Sequence, residues 1–179
     1  MADRSGSSRS TTTRPSSWKA TRGRSDLHRP RAMTSEDLHA AVEELLALPF
    51  PREDTRGEVR DSGPGYHVQV LQASRDFWDD RDEEIVEAAE EEIDAAFRAL
   101  ATALTARWGE PETVDLDPYL WSEEPAPEPL GRLSMLSGRM LVWRRPVPGR
   151  WVALAVGQAD REFPIELLAA IGEEHHLPA

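Results

Sequence analysis

The sequence predicts an α+β domain: a small, mostly antiparallel sheet of four or five strands packed by one long amphipathic helix, with two shorter flanking helices. Three observations predict it. A helical period runs unbroken from Asp79 to Trp108, two apolar strand-like runs flank a Pro148-Gly149 turn, and shorter periodic stretches lie before and after them. The chain has 179 residues, 39% hydrophobic and 30% charged, the size and balance of one globular domain with a short appendage. No apolar run approaches the ~18 residues that a membrane helix requires. There is no cysteine, which excludes disulfides, thiolate metal sites and cysteine nucleophiles.

Charge divides the chain at Met33. Of 21 basic and 33 acidic residues, eight basic groups (Arg4, Arg9, Arg14, Lys19, Arg22, Arg24, Arg29, Arg31) and two acids fall in residues 1–32, a net of +6. The other 147 residues hold 13 basic and 31 acidic groups, a net of −18. Such a field repels nucleic-acid phosphates and anionic membranes and favours basic partners. Nucleic-acid binding is expected nowhere but in the 1–32 tail. Lys19 is the single lysine beside twenty arginines, a bias typical of GC-rich bacterial genes. Residues 1–32 are rich in Ser, Thr and Arg, and Trp18 and Leu27 are too few to offset the entropy of ordering them. That tail is expected to be disordered. It has no apolar core of a secretory signal, so the compartment expected is the cytoplasm. Met33-Thr34-Ser35-Glu36-Asp37 opens directly into a helix start, so a chain beginning at Met33 loses nothing that packs. Residues 33–179 are read as a single acidic domain.

Each element has a local cause. Leu38, Ala41, Val42, Leu45 and Leu48 share one helical face, Thr34 with Asp37 forms an N-cap arrangement, and Pro49-Phe50-Pro51 stops the helix, which predicts 35–48. A polar loop follows through Gly63-Pro64-Gly65. Tyr66, Val68 and Val70 then alternate with His67, Gln69 and Leu71 as a strand does. Between Asp79 and Trp108, Ile85, Ala89, Ile93, Ala96, Phe97, Leu100, Leu104 and Trp108 form one stripe, and Glu84, Glu87, Glu91, Asp94 and Arg98 lie opposite. Carboxylates crowd its first turn, where unpaired amides favour them, and Gly109-Glu110-Pro111 ends it. Val114–Leu116 and Tyr119–Trp121 are the next stretches able to pair, before an acidic loop from Glu123 to Pro129. Met140–Arg145 and Arg150–Gly157 form a hairpin about Pro148-Gly149, with Trp143 expected opposite Leu154 and Arg145 opposite Val152. Both hairpin faces are apolar, so these strands are either central with helices on both sides or covered by a partner. Ile165, Leu168 and Ile171 after Pro164 predict a short final helix.

Chemical motifs are mostly absent. No phosphate-binding glycine loop, nucleophile elbow or H-E-x-x-H zinc helix occurs, and no lysine follows Lys19. Glu173-Glu174-His175-His176 has metal-binding residue types, but adjacent side chains diverge and chain ends fray, so no metal or cofactor is expected. His39 stands between Glu36 and Glu43 at helical spacing. The Glu84, Glu87, Glu91 and Asp94 stripe suits an Arg/Lys-rich partner. Trp143, Arg144, Arg145, Arg150 and Trp151 make the one cationic, aromatic cluster on an anionic body, the composition of an interface hot spot. Trp78, Trp108 and Trp121 sit at element boundaries and are expected in the core.

The plan of a long helix ending in Arg107-Trp108-Gly109-x-Pro111, followed by a Trp-rich hairpin, resembles small acidic actinobacterial interaction domains, immunity proteins of toxin systems among them. The resemblance is one of plan and carries no functional residue. The function expected is non-enzymatic: an acidic adaptor, chaperone-like or immunity-type module that binds another protein with a basic or apolar surface, with the 140–156 hairpin face open to a second copy. The alternative is an enzyme or small-ligand binder that uses His67, Tyr66 and nearby carboxylates on an open sheet face.

Overall fold

A computed structural model describes residues 33–177, and the tail 1–32 expected to be disordered lies outside the described residues. In chain order the elements are α1 (Ser35–Ala47), β1 (Thr55–Arg56), β2 (Arg60–Gly63), β3 (Tyr66–Ala73), α2 (Glu83–Trp108), β4 (Glu112–Asp115), α3 (Asp117–Leu120), α4 (Leu130–Ser134), β5 (Arg139–Val147), β6 (Arg150–Gly157) and β7 (Glu166–Glu173), then a 3-10 turn over Glu174–His176. The strands form one antiparallel sheet in the order β1-β2-β3-β7-β6-β5-β4. The α+β class and the long helix hold, and the sheet is larger than expected. Among the described residues no helix is long and apolar enough to cross a membrane.

The two long helices stop as their sequences specify, and α1 also starts so, whereas α2 begins at Glu83, four residues after the Asp79 expected. Thr34 Oγ1 accepts from the Asp37 amide at 3.1 Å while the Thr34 amide donates to Asp37 Oδ2 at 2.9 Å, a reciprocal capping box. Gly109, at φ 88°, ends α2 in the left-handed region, and its amide donates to the Thr105 carbonyl. At 26 residues α2 is ~39 Å long. Gly149, at φ 76°, makes the hairpin turn between β5 and β6.

Four local expectations are corrected. Residues 166–173 form β7, the central strand, and not a final helix. Every residue from Leu167 to Gly172 is buried, because such a run meets a core on both sides; its apolar spacing fits a helical stripe equally well, and the neighbouring strands decide. Residues 119–121 fall in and after α3 and do not pair. The polar segment before Tyr66 contains the edge strand β1, which pairs with β2, and β2, which pairs with β3; both are polar and show no apolar alternation. The hairpin register is shifted: Trp143 lies opposite Val152 and Leu141 opposite Leu154, with the irregularity between Arg144 and Val147. Pro146 lies in that interval and has no N–H to donate to the ladder, which favours a bulge there.

Both faces of the sheet are dry. On the helical face Leu38, Val42 and Leu45 of α1 and Ile93, Leu100 and Leu104 of α2 pack on Leu71, Trp143, Val152, Leu154, Leu167 and Ile171. On the opposite face the segment 116–136 and Leu177 bring Leu116, Leu130 and Leu133 onto Val68, Met140, Val142, Trp151, Ala153, Leu168 and Ala170. The hairpin thus finds much of its second cover within its own chain.

Candidate functional site

The Trp/Arg hairpin is structural. Trp143 and Trp151 are each 1% exposed and project to opposite faces of the sheet. The Trp143 indole N–H donates to the Gly109 carbonyl at 3.0 Å, and its ring stands edge-on to Trp108 with centroids 6.3 Å apart. Trp151 donates to the Glu173 carbonyl at 2.9 Å and lies over Gly172, where a Cβ would come within 2.2 Å of the ring. Only glycine fits beneath it. Arg150 reaches back to α1: one guanidinium nitrogen donates to the carbonyls of Leu46 at 2.6 Å and Leu48 at 2.8 Å, with the cation 4.1 Å above the Phe50 ring. Those carbonyls end a helix and have no intrahelical partner, so a cation from a distant strand closes them. Arg144 holds both oxygens of Glu112 through Nε, at 3.0 and 2.9 Å. The Arg145 side chain lies outside the described ones. The two tryptophans are therefore core and Arg150 ties β6 to α1, while Arg144 stays exposed beside Glu112. Conversely, Trp78 and Trp121, expected inside, are 59% and 80% exposed, while Trp108 packs half-buried against the helical core.

Tyr66 and His67 do not converge. As neighbours on β3 they point to opposite faces. The His67 ring is buried against Phe50 and its Nδ1 lies 2.7 Å from Ser62 Oγ. Burial lowers its proton affinity, and the charges of Arg60 and Arg150 act in the same direction. The carbonyls of Leu48 and Pro49 pull the other way, but neither reaches Nε2 in hydrogen-bond geometry, so desolvation wins. Across the sheet the Tyr66 hydroxyl donates to Asp54 Oδ1 at 3.1 Å, and burial together with that carboxylate pushes its pKa up to about 12. Burial also raises Glu166, partly offset by Arg132. Glu166 and Tyr66 lie at opposite ends of the β3–β7 pairing. Among the described residues, the groups with shifted proton affinity share no cleft. Asp61, buried on the opposite face, pairs with Arg132 at 2.5 Å and accepts from the Gly57 amide at 3.0 Å, joining an edge strand to α4. That is a tether between layers.

Comparison of the chain with protein-family models, curated proteins and solved structures finds no match. Function is therefore read from the surface.

The feature that remains open lies beside α2. Helix α1 lies over β3 and β7, and α2 over β6 and β7. Past Trp143, at the Arg139 end of β5, the helical face opens into a cleft of about 690 Å3 between Phe97 and Asp94 of α2 and the strand residues Leu141, Leu154 and Val156. Ser137, Gly138, Arg139 and Thr113 form its outer wall, and a second hollow of about 370 Å3 continues it past Glu90 toward Gln158. Asp94, the last residue of the predicted acidic stripe, stands where the two meet. Glu84, Glu87 and Glu91 extend the stripe along the exposed surface of α2, and among the described residues none of the four forms an ion pair. An apolar floor beside unneutralised carboxylates suits a chain segment that carries apolar and cationic side chains together. The acidic stripe was legible from helical spacing. The cleft was not, because Phe97 looks like one more core position and the strand wall comes from residues more than forty positions away.

Proposed function

We propose that the protein is a non-enzymatic, cytoplasmic protein-binding module of the adaptor, chaperone-like or immunity type, and that it takes a basic, amphipathic segment of a partner into the cleft beside α2. The continuity of the cleft with the unpaired stripe Glu84, Glu87, Glu91 and Asp94 carries this reading. The stripe would steer a cationic segment by its field, and the half-exposed floor of Phe97, Leu141 and Val156 would bind apolar side chains once it arrives. The scattered placement of Tyr66, His67 and Glu166, none of which lines the cleft, supports a binding role over a catalytic one.

A photo-crosslinker at Asp94 should trap a stoichiometric partner protein in cells at low salt, with trapping reduced at high salt and by the double reversal Glu87→Arg/Glu91→Arg. The same probe at Trp121, beyond the opposite face, should trap none. Equal trapping at the two positions, or trapping indifferent to salt and to charge reversal, would overturn the reading.

A further inference from the structure

We propose that Glu173, His175 and His176 form a binding site for a divalent cation of the borderline class to which zinc belongs, and that the bound ion braces the turn that follows β7. One donor atom from each of the three lies within 4.8 Å of the others. The divergence expected of neighbouring side chains does not occur, because Glu174–His176 wind into a 3-10 turn that leaves the two imidazole rings 4.1 Å apart. Glu173 lies at the last position of β7, and its carboxylate Oε2 is 3.6 Å from His175 Nε2. Two imidazoles and one carboxylate, with the remaining positions open to water, are a donor set for zinc in a three-ligand site.

Two further observations show that the donors are held. His176 Nδ1 lies 3.2 Å from the Gly65 carbonyl, an acceptor only, so in the neutral ring Nδ1 carries the proton and Nε2 keeps its lone pair. A metal-binding imidazole commonly donates its second nitrogen to a backbone carbonyl in this way, which fixes tautomer and ring orientation. The same carbonyl accepts from the Glu173 amide at 2.9 Å. Gly65 itself has φ +82°, and a Cβ there would fall 2.4 Å from His176 Cε1 and 2.8 Å from Glu173 Oε2, so this close cradle requires glycine. On its other side the turn is anchored by Leu177, buried in the core of the opposite face, and by the Trp151 indole on the Glu173 carbonyl. The end of the described chain is thus packed in place with its donors facing one another.

The test is calorimetric titration of zinc chloride into the full chain, made without a polyhistidine tag, at pH 7.5. One zinc per chain is expected, with micromolar affinity weakened at least tenfold in His175→Ala and in His176→Ala and unchanged in His28→Ala and His39→Ala. Saturating zinc should raise the melting temperature of the parent chain and leave that of His175→Ala unmoved. His175 is exposed, so its loss leaves the packing intact. Absence of saturable binding, binding that survives both C-terminal substitutions, or binding removed by His28→Ala or His39→Ala would overturn the proposal.

Discussion

The sheet has two covers of different construction. One is a pair of regular helices of 13 and 26 residues, and the other an acidic, proline-rich segment whose helices run four and five residues. Both exclude water: Val42, Ile93, Leu100 and Leu104 under the helices and Leu116 and Leu130 under the irregular segment are all 0% exposed. Their outlines differ. A long helix cannot follow seven strands of a twisted sheet, so α2 lies over β6 and β7 and leaves the Arg139 end of β5 beneath an open wedge. An irregular chain bends with the surface it covers. Regular structure sealed the centre and left a cleft at its margin, while the segment without long elements closed its face and fastened itself through Arg132 to the buried carboxylate of Asp61.

This contrast yields predictions of graded size. The largest concerns whether the two faces are equally load-carrying cores: Trp143→Ala on the helical face and Trp151→Ala on the opposite face should each cost about 3–5 kcal/mol in urea unfolding. A Trp151→Ala cost under about 1 kcal/mol would show that the irregular cover is a loose lid. Next, Arg150→Met keeps most of the side-chain volume but removes the bonds to the Leu46 and Leu48 carbonyls, and about 2 kcal/mol should be lost. Amide exchange in the last turn of α1 should quicken with it.

The third prediction compares an ion pair from each cover. Asp61 is 7% exposed in its side chain and Arg132 is 40%, so Asp61→Asn should cost about 1–2 kcal/mol, the half-exposed guanidinium limiting the loss. The Arg107–Glu43 pair joining α2 to α1 is exposed on both sides, and Glu43→Gln should cost below about 0.5 kcal/mol and only at low salt.

The smallest effects come from Tyr66 and His67, adjacent residues on opposite faces. His67 has a lowered proton affinity in the fold, so as pH falls below ~6.5 the unfolded chain takes up the proton first and stability present at neutral pH is lost. Tyr66 is raised to about 12, so the stability it contributes is complete below the unfolded value of ~10 and is lost as pH climbs from there through 12. Melting curves of His67→Gln should be flatter than the parent's below neutrality, and those of Tyr66→Phe flatter in alkali. A His67→Gln curve as steep as the parent's below neutrality would count against the burial of His67 beside Phe50.

Local chemistry was enough to read several parts from the chain alone. The capping box at Thr34, the stripe from Ile85 to Trp108, the stop at Gly109 and the turn at Pro148-Gly149 involve groups within a few residues of one another, so their outcome does not depend on distant packing. The same holds for the two-faced apolarity of residues 140–156, which required a cover on each side. Other outcomes were settled only when distant segments met. A run such as Leu167 to Ile171 satisfies a helical stripe and a buried strand alike, and the ladders offered by β3 and β6 select the strand. A tryptophan beside arginines serves an interface or a core equally well, and the choice fell to Gly172 and Gly109, which supply the space and the carbonyl that draw Trp151 and Trp143 inward. Polar strands such as Arg60–Gly63 pair through backbone and polar side chains and leave no apolar period to find. The cleft belongs to no segment, since it exists where a straight helix and a twisted sheet part company.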